Sequence, residues 1–300
     1  MAYQYEFEIF TAGASLAARI FRDVDDLVTP RPTVVVTGSW LTVKEQMPDL
    51  YAEQLAEAGF TAVTFDFSGF GASAGEPNQA ELPARKIDEI AAVAQALSAV
   101  SFVSGGVVGH LAVCASAQYT LQALRRAVPI AAFVSVAGWF HDAATVAPAY
   151  GGAAGVTERI GRGQAALAAF QQHGTVRTVP AYAEGDDRAG MFLPLPYYGD
   201  PKRGAVRQWR NEMAELSWLY WLTFDGLTGA RHVPTPSLFV HSDDCVLPAN
   251  VRAVAAAMPA AELVWGEGSQ IDFYDQPAQV GLAVTAAARH FRAHLPAASS

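Results

Sequence analysis

Positive charge is scarce in this sequence: 20 Lys and Arg stand against 29 Asp and Glu over 300 residues, a net charge of −9, and only three of the cations are lysines. A chain this acidic, with no run of basic residues, has no electrostatic footprint for a phosphate backbone, so nucleic acid is not expected as a partner. Cysteine is scarcer still. Cys114 and Cys245 lie far apart without CxxC spacing, which indicates neither a disulfide framework nor a structural zinc site. No cluster of metal-ligating residues stands out, and His173, His232, His290 and His294 read as surface or helix positions. No apolar run reaches the ~18 residues a bilayer span needs. The start, MAYQYEFEIFTAG, has no basic stretch followed by an apolar one, so the expectation is a cytoplasmic protein with no membrane contact. What is abundant is apolar surface: 51% hydrophobic against 16% charged residues, with a mean hydropathy of +0.16. Such a chain can bury a large core, and a homodimer is compatible with it.

Residues 3–10 (YQYEFEIF) alternate apolar and acidic side chains, and 15–22 (SLAARIFR) form a second short run after a TAGA turn. This pattern predicts an edge hairpin. Continuous apolar runs then follow at 33–37, 61–67, 107–114, 131–137, 237–241 and 262–265, separated by helical patterns over 47–58, 82–99, 117–126, 249–258 and 277–294. Buried strands alternating with helices predict an α/β fold whose mostly parallel central sheet is covered on both faces. Residues 138–231 break the alternation. They show no clear strand but much Ala and Gly, with many aromatics including Trp139, Tyr182, Tyr197 and Tyr198. We read them as a helical cap inserted into a core made of 1–137 and 232–300, its aromatics forming either the cap's own core or a pocket. The tail, 296–300, is expected to fray.

The most informative segment is VVGHLAVCASAQYTLQALR, which passes from an apolar strand into a helix with only small residues at the joint. A strand, tight turn and helix with a small-x-Nu-x-small pattern is a nucleophile elbow, and Cys114 takes the central place between Ala112 and Ser116. A helix start favours the thiolate, the reactive form of the group. The bland alternative is a buried Cys acting as a small hydrophobe. His110 lies four residues earlier on the strand, about 13 Å away at ~3.3 Å per residue, and belongs to the sheet interior. Ser116 falls past the exposed position, and Asp66 in FDFSG reads as a turn former. Downstream, Asp244 in DDCVLP occupies the D-x-x-x-P place of a triad acid, and the loop GSQIDFYD carries Gln270 where a histidine is expected.

Three further stretches are specific: VKEQ at 43–46 followed by LYAEQLAEAGF, FDFSGFGAS at 65–73, and DFYDQP at 272–277. Over nearly its whole length the chain resembles the α/β-hydrolase superfamily, in particular a dienelactone-hydrolase-related bacterial branch with a Cys at the elbow. The resemblance implies an α/β-hydrolase fold with Cys114 as nucleophile and Asp244 as acid. It also implies an oxyanion hole formed by the backbone amides of Ala115 and of Trp40 or Ser39. Tyr182, Tyr197, Tyr198 and Arg203 are similar to elements of the branch's cap. Together with Trp139 they are candidates for the substrate pocket, with Arg203 either orienting a carbonyl or pairing with Asp200.

Gln270 departs from the branch. An amide cannot take a proton from a nucleophile or from the water that releases an acyl group. A thiol with a lowered pKa can still attack, which leaves deacylation as the difficult step. Three outcomes stay open. His141, which follows the strand over 131–137 directly, could serve as base; the reaction could need no water activation, as in a lyase, cyclase or isomerase; or the site could only bind a ligand. The leading expectation is action on an ester, lactone or thioester of an apolar small molecule, with no cofactor and no metal.

Overall fold

In the computed structural model, which describes residues 2–11 and 13–297, the apolar runs become the strands of one eight-stranded sheet. Ala12 of the expected turn and 298–300 of the tail lie outside the described residues. The strands are β1 (Tyr3–Phe10), β2 (Ser15–Arg22), β3 (Arg31–Thr37), β4 (Thr61–Phe65), β5 (Val103–Val113), β6 (Ile130–Val136), β9 (Ser237–His241) and β10 (Ala261–Trp265). Two more, β7 (Thr178–Val179) and β8 (Met213–Ala214), pair separately in the segment where none was expected. The sheet order is β1-β2-β4-β3-β5-β6-β9-β10. The β1/β2 hairpin is antiparallel and joins β4 in the same sense, while every later pair is parallel. Covered on both faces, β4, β6 and residues 33–37 of β3 are almost wholly buried, their Val, Ala, Ile and Phe side chains interspersed only with small Thr and Ser.

The helices that cover the sheet are α1 (Met47–Glu57), α2 (Pro83–Ser98), α3 (Ser116–Ala123), α8 (Pro248–Ala257), the short α9 (Asp272–Asp275) and α10 (Pro277–His294). Four of them, α1, α2, α8 and α10, start with Pro in the first turn, where its missing N–H costs nothing. Between β6 and β9 the chain leaves the sheet and builds α4 (Ala143–Val146), the 22-residue α5 (Gly152–His173), α6 (Pro196–Gly199) and α7 (Ser217–Trp221). Asp142 caps α4 through its carboxylate and Thr145 returns the bond, a reciprocal capping box. Among the described residues, no helix is long and apolar enough to cross a membrane.

Because the central strands are parallel, their carboxyl ends share one edge. There the loops after β3, β5, β6, β9 and β10 deliver Ser39, Cys114, Trp139, Val246 and Gln270 around one cavity. The histidines of the sheet do not join it. His110 is fully buried in β5, bonded to Thr37 Oγ1 at 2.9 Å.

Candidate active site

Cys114 sits at the turn between β5 and α3 with φ 58°, a left-handed conformation rare for a side chain with a Cβ. Such strain costs on the order of 1–3 kcal/mol and persists only where the surroundings enforce it. They do so here: the Cys114 amide donates to Val136 O at 3.0 Å, and its carbonyl accepts from Ala117 N at 3.1 Å and Trp139 N at 2.9 Å. The turn therefore aims the side chain out of the strand and into the cavity. Ser116 points the other way, its hydroxyl donating to Val113 O at 3.2 Å.

Facing Cys114 is the loop after β3. Gly38 is required there, since a Cβ would meet Pro48 Cγ and Thr42 Oγ1 at 2.8 Å. Leu41, at φ 60°, is held from both sides. Its N–H donates to Glu81 Oε2 at 3.2 Å and its carbonyl accepts from the Trp209 indole at 2.8 Å. Glu81 is itself buried and fixed by Lys86 Nζ at 2.8 Å and the Tyr119 hydroxyl at 2.7 Å. This rigid support places the amides of Trp40 and Ala115 where both stabilise a negative charge on the Cys114 sulfur.

Hydroxyls complete the surroundings. Ser39 Oγ lies 3.1 Å from Tyr274 Oη and accepts from Tyr198 Oη at 3.0 Å. Gln270 does not hang free in a histidine's place. Its Oε1 accepts from Val246 N at 3.1 Å, while its Nε2 donates to Ala137 O at 2.8 Å and Tyr274 Oη at 3.2 Å. The two backbone partners fix the amide's orientation. With the Tyr274 oxygen accepting from Gln270, the tyrosine proton is directed to Ser39 or Cys114. The segment carrying both is pinned down in turn: Tyr51 Oη donates to Phe273 O at 2.6 Å, and Asp272 accepts from the Ser269 amide and hydroxyl, each at 2.7 Å.

Burial pushes the Cys114 thiol above its ordinary value, against the pull of the Ser39 and Tyr274 hydroxyls and the Ala115 and Trp40 amides. The expected preformed thiolate is therefore not what this closed site favours; burial holds the group toward its neutral thiol form. Tyr198 and Tyr274 are raised as well, by burial first, so both enter any reaction as neutral hydroxyls.

The cavity measures about 250 Å³. Apart from Ser39, Cys114, Thr145, Gln270 and the hydroxyls of Tyr150, Tyr198 and Tyr274, its walls are mostly apolar, with Trp40, Trp139, Trp221, Met191, Phe192 and Leu247 the bulkiest contributors. Of the residues singled out from sequence, Ser39, Trp40, Cys114, Trp139, Tyr198 and Gln270 meet on it, while Ala115 contributes its backbone amide toward the Cys114 sulfur.

Five others are placed differently. Asp244 is exposed and, among the described residues, has no hydrogen-bond partner, so it orients neither Gln270 nor His141. With no imidazole to charge, nothing draws the carboxylate inward. His141 is fully buried with both nitrogens engaged: Nδ1 accepts from the Trp139 indole at 2.7 Å, and Nε2 lies 2.9 Å from Trp221 O. Burial lowers its pKa to about 4; it ties two aromatic walls together and has no lone pair to offer Cys114. Arg203 pairs with Asp275, two bonds of 2.6 Å, and not with Asp200. It braces α9 from outside the cavity. Tyr182 and Tyr197 are likewise not on the cavity wall; they pack behind Tyr198, with ring centroids 6.0 and 5.2 Å away. Tyr274, within DFYDQP, is a further cavity residue that the sequence marks only faintly. Its signal was the spacing: four residues after Gln270, one turn on, it shares Gln270's side of the segment.

A model of the alpha/beta hydrolase family matches residues 33–281. The uncharacterized protein PA2218 of Pseudomonas aeruginosa is 25% identical over 280 residues, covering 88% of this chain and 74% of that protein. Its crystal structure superposes with a TM-score of 0.82, at 22% identity over 98% of this chain and 94% of that one. The alpha/beta hydrolase GrgF from Penicillium sp. sh18 gives a TM-score of 0.79 at 18% identity, covering 98% and 99%. The uncharacterized protein YcjY of Escherichia coli K12 is 42% identical over 81 residues, a match spanning 27% of this chain and about a quarter (26%) of that protein's length. With the family model covering most of the sequence, and the sheet order and elbow in place, the chain belongs to the alpha/beta hydrolase family.

Proposed function

We propose that this protein is an enzyme of the dienelactone-hydrolase-related branch that acts on an ester, lactone or thioester of a small apolar molecule, with Cys114 as nucleophile. The observation that carries this reading is the strained elbow: a φ of 58° turns Cys114 into an apolar cavity, with the amides of Trp40 and Ala115 beside its sulfur. A carbonyl oxygen directed at those amides accepts two N–H donors as its charge develops. With an ester or lactone, sulfur then bonds to the carbonyl carbon and the carbon–oxygen bond to the leaving group breaks; with a thioester the bond broken is carbon–sulfur and the group released a thiol. The thiol proton of Cys114 passes through the Ser39 and Tyr274 hydroxyls to the departing oxygen or sulfur, leaving a thioester on Cys114 and a free alcohol, enol or thiol. Addition of water to the thioester carbon returns the acid and the thiol. Gln270 serves as a positioning residue, keeping Tyr274 turned to donate. The cavity is smaller than the roughly 300–1,000 Å³ of common ligand sites, so a short acyl group is favoured.

The missing imidazole supports a second reading. Among the described residues no imidazole lines the cavity to activate water, so the thioester is suited to capture by a nucleophile within the substrate, giving transfer or cyclisation. Turnover of p-nitrophenyl esters from acetate to octanoate separates the two. Hydrolysis predicts turnover highest for short chains and lost in Cys114→Ala, whereas turnover unchanged in Cys114→Ala would overturn the assignment of the nucleophile.

A further inference from the structure

Far from the cavity, at the opposite ends of the strands, the fold assembles a group that the sequence separates. His290 and His294, one turn apart on α10, meet Glu262 on the edge strand β10, and one ligand atom of each lies within 4.8 Å of the others. His290 is only 3% exposed. Its Nε2 faces Pro236 O at 3.2 Å, while its buried Nδ1 has no partner. A histidine whose one nitrogen donates to a backbone carbonyl keeps its lone pair on the other, the arrangement that second-shell partners impose on metal ligands. We propose that His290 Nδ1, His294 and Glu262 form a binding site for a divalent transition-metal ion of the zinc class.

Two imidazoles and a carboxylate suit zinc, copper or nickel better than calcium or magnesium, and three protein ligands leave a position for water. Tetrahedral coordination at Zn–N of 2.0–2.1 Å brings ligand atoms to about 3.3 Å from one another. The surrounding side chains can contract that far, because Glu262 and His294 are exposed. Binding also takes Glu262 from Arg289, whose ion pair at 3.2 Å has side chains 56% and 66% exposed and so holds weakly. The ion would clip the last turn of α10 to the sheet's edge. These two elements bracket the segment that carries Gln270 and Tyr274, so the site is structural rather than part of the chemistry at Cys114.

The test is zinc titration of chelator-treated protein by calorimetry and thermal unfolding, with cobalt absorption reporting the coordination. One equivalent should bind, raising Tm by roughly 5 °C at a hundredfold excess over Kd. Binding should weaken at least about tenfold in His294→Ala and Glu262→Gln and strengthen in Arg289→Ala, while Cys114→Ala leaves it unchanged. His294 and Glu262 are exposed, so their variants keep the fold. No binding at micromolar zinc, or one equivalent bound equally well by both ligand variants, would overturn the proposal.

Discussion

The Cys114 thiol is raised rather than lowered by its setting, the reverse of what a low-pKa nucleophile needs, because burial outweighs four donors and no imidazolium stands beside it. Its alkylation by iodoacetamide should therefore climb steadily with pH through and beyond the ordinary thiol value of about 8.5. A plateau below pH 8 would show instead a thiolate preformed by a neighbour. In Tyr274→Phe a donor to the thiolate is gone, so the rise should move to still higher pH. Ester turnover in that variant should fall about a hundredfold, the lower range for losing a positioned proton donor. Both residues were legible to different degrees. The small-residue joint around Cys114 reads directly as an elbow, whereas Tyr274 shows only a spacing to Gln270 until the fold closes the hydroxyl chain through Ser39 and Tyr198.

At the scale of elements, the strands and helices of the core follow the sequence closely because period and punctuation agree there. Pro277 to His294 was expected as a helix and forms α10 over those residues, and β9 ends where the apolar run ends, at His241. The segment between β6 and β9 was less legible. Its two-residue strands β7 and β8 are too short to show alternation, and they exist only because the chain brings Thr178 beside Ala214. Histidine placement failed for a related reason. His141 leaves the right edge of the sheet, but the Trp139 indole and the Trp221 carbonyl turn its ring away. The Trp139–His141–Trp221 unit thus acts as a structural brace. His141→Gln should cost about 1–3 kcal/mol of stability through the unpaired groups it leaves, measured by urea denaturation, while the alkylation rate of Cys114 stays within about twofold. A collapse of that rate in a folded His141→Gln protein would restore the histidine as base.

Across the whole molecule, the sheet and the loop after β6 keep several imidazoles buried and neutral. Burial lowers His110 to about 3 and His141 and His241 to about 4. Unfolded, each titrates near 6.5, so between about pH 6.5 and 4 the unfolded chain binds protons that the folded one refuses, and stability falls as pH falls through that window. Asp49 works in the opposite sense. Burial raises it to about 7, so its share of stability is lost as pH rises from 4 to 7. Burial lowers His290 in the same sense as the other histidines and raises Asp66 alongside Asp49; four histidines against two aspartates predict a lower urea midpoint at pH 5 than at pH 7, and an equal or higher midpoint would contradict these assignments. The sheet that buries His110 and His241 also gathers the loops around Cys114 at the carboxyl ends of its parallel strands, and the central claim is that this convergence makes a nucleophile. Intact-protein mass after brief exposure to a small activated ester tests it, with wild type beside Cys114→Ala and peptide mapping of any adduct. The account predicts one acyl group, confined to Cys114 and slow to leave for want of an imidazole. Acylation elsewhere, or none at Cys114 with several acyl sizes, would contradict it.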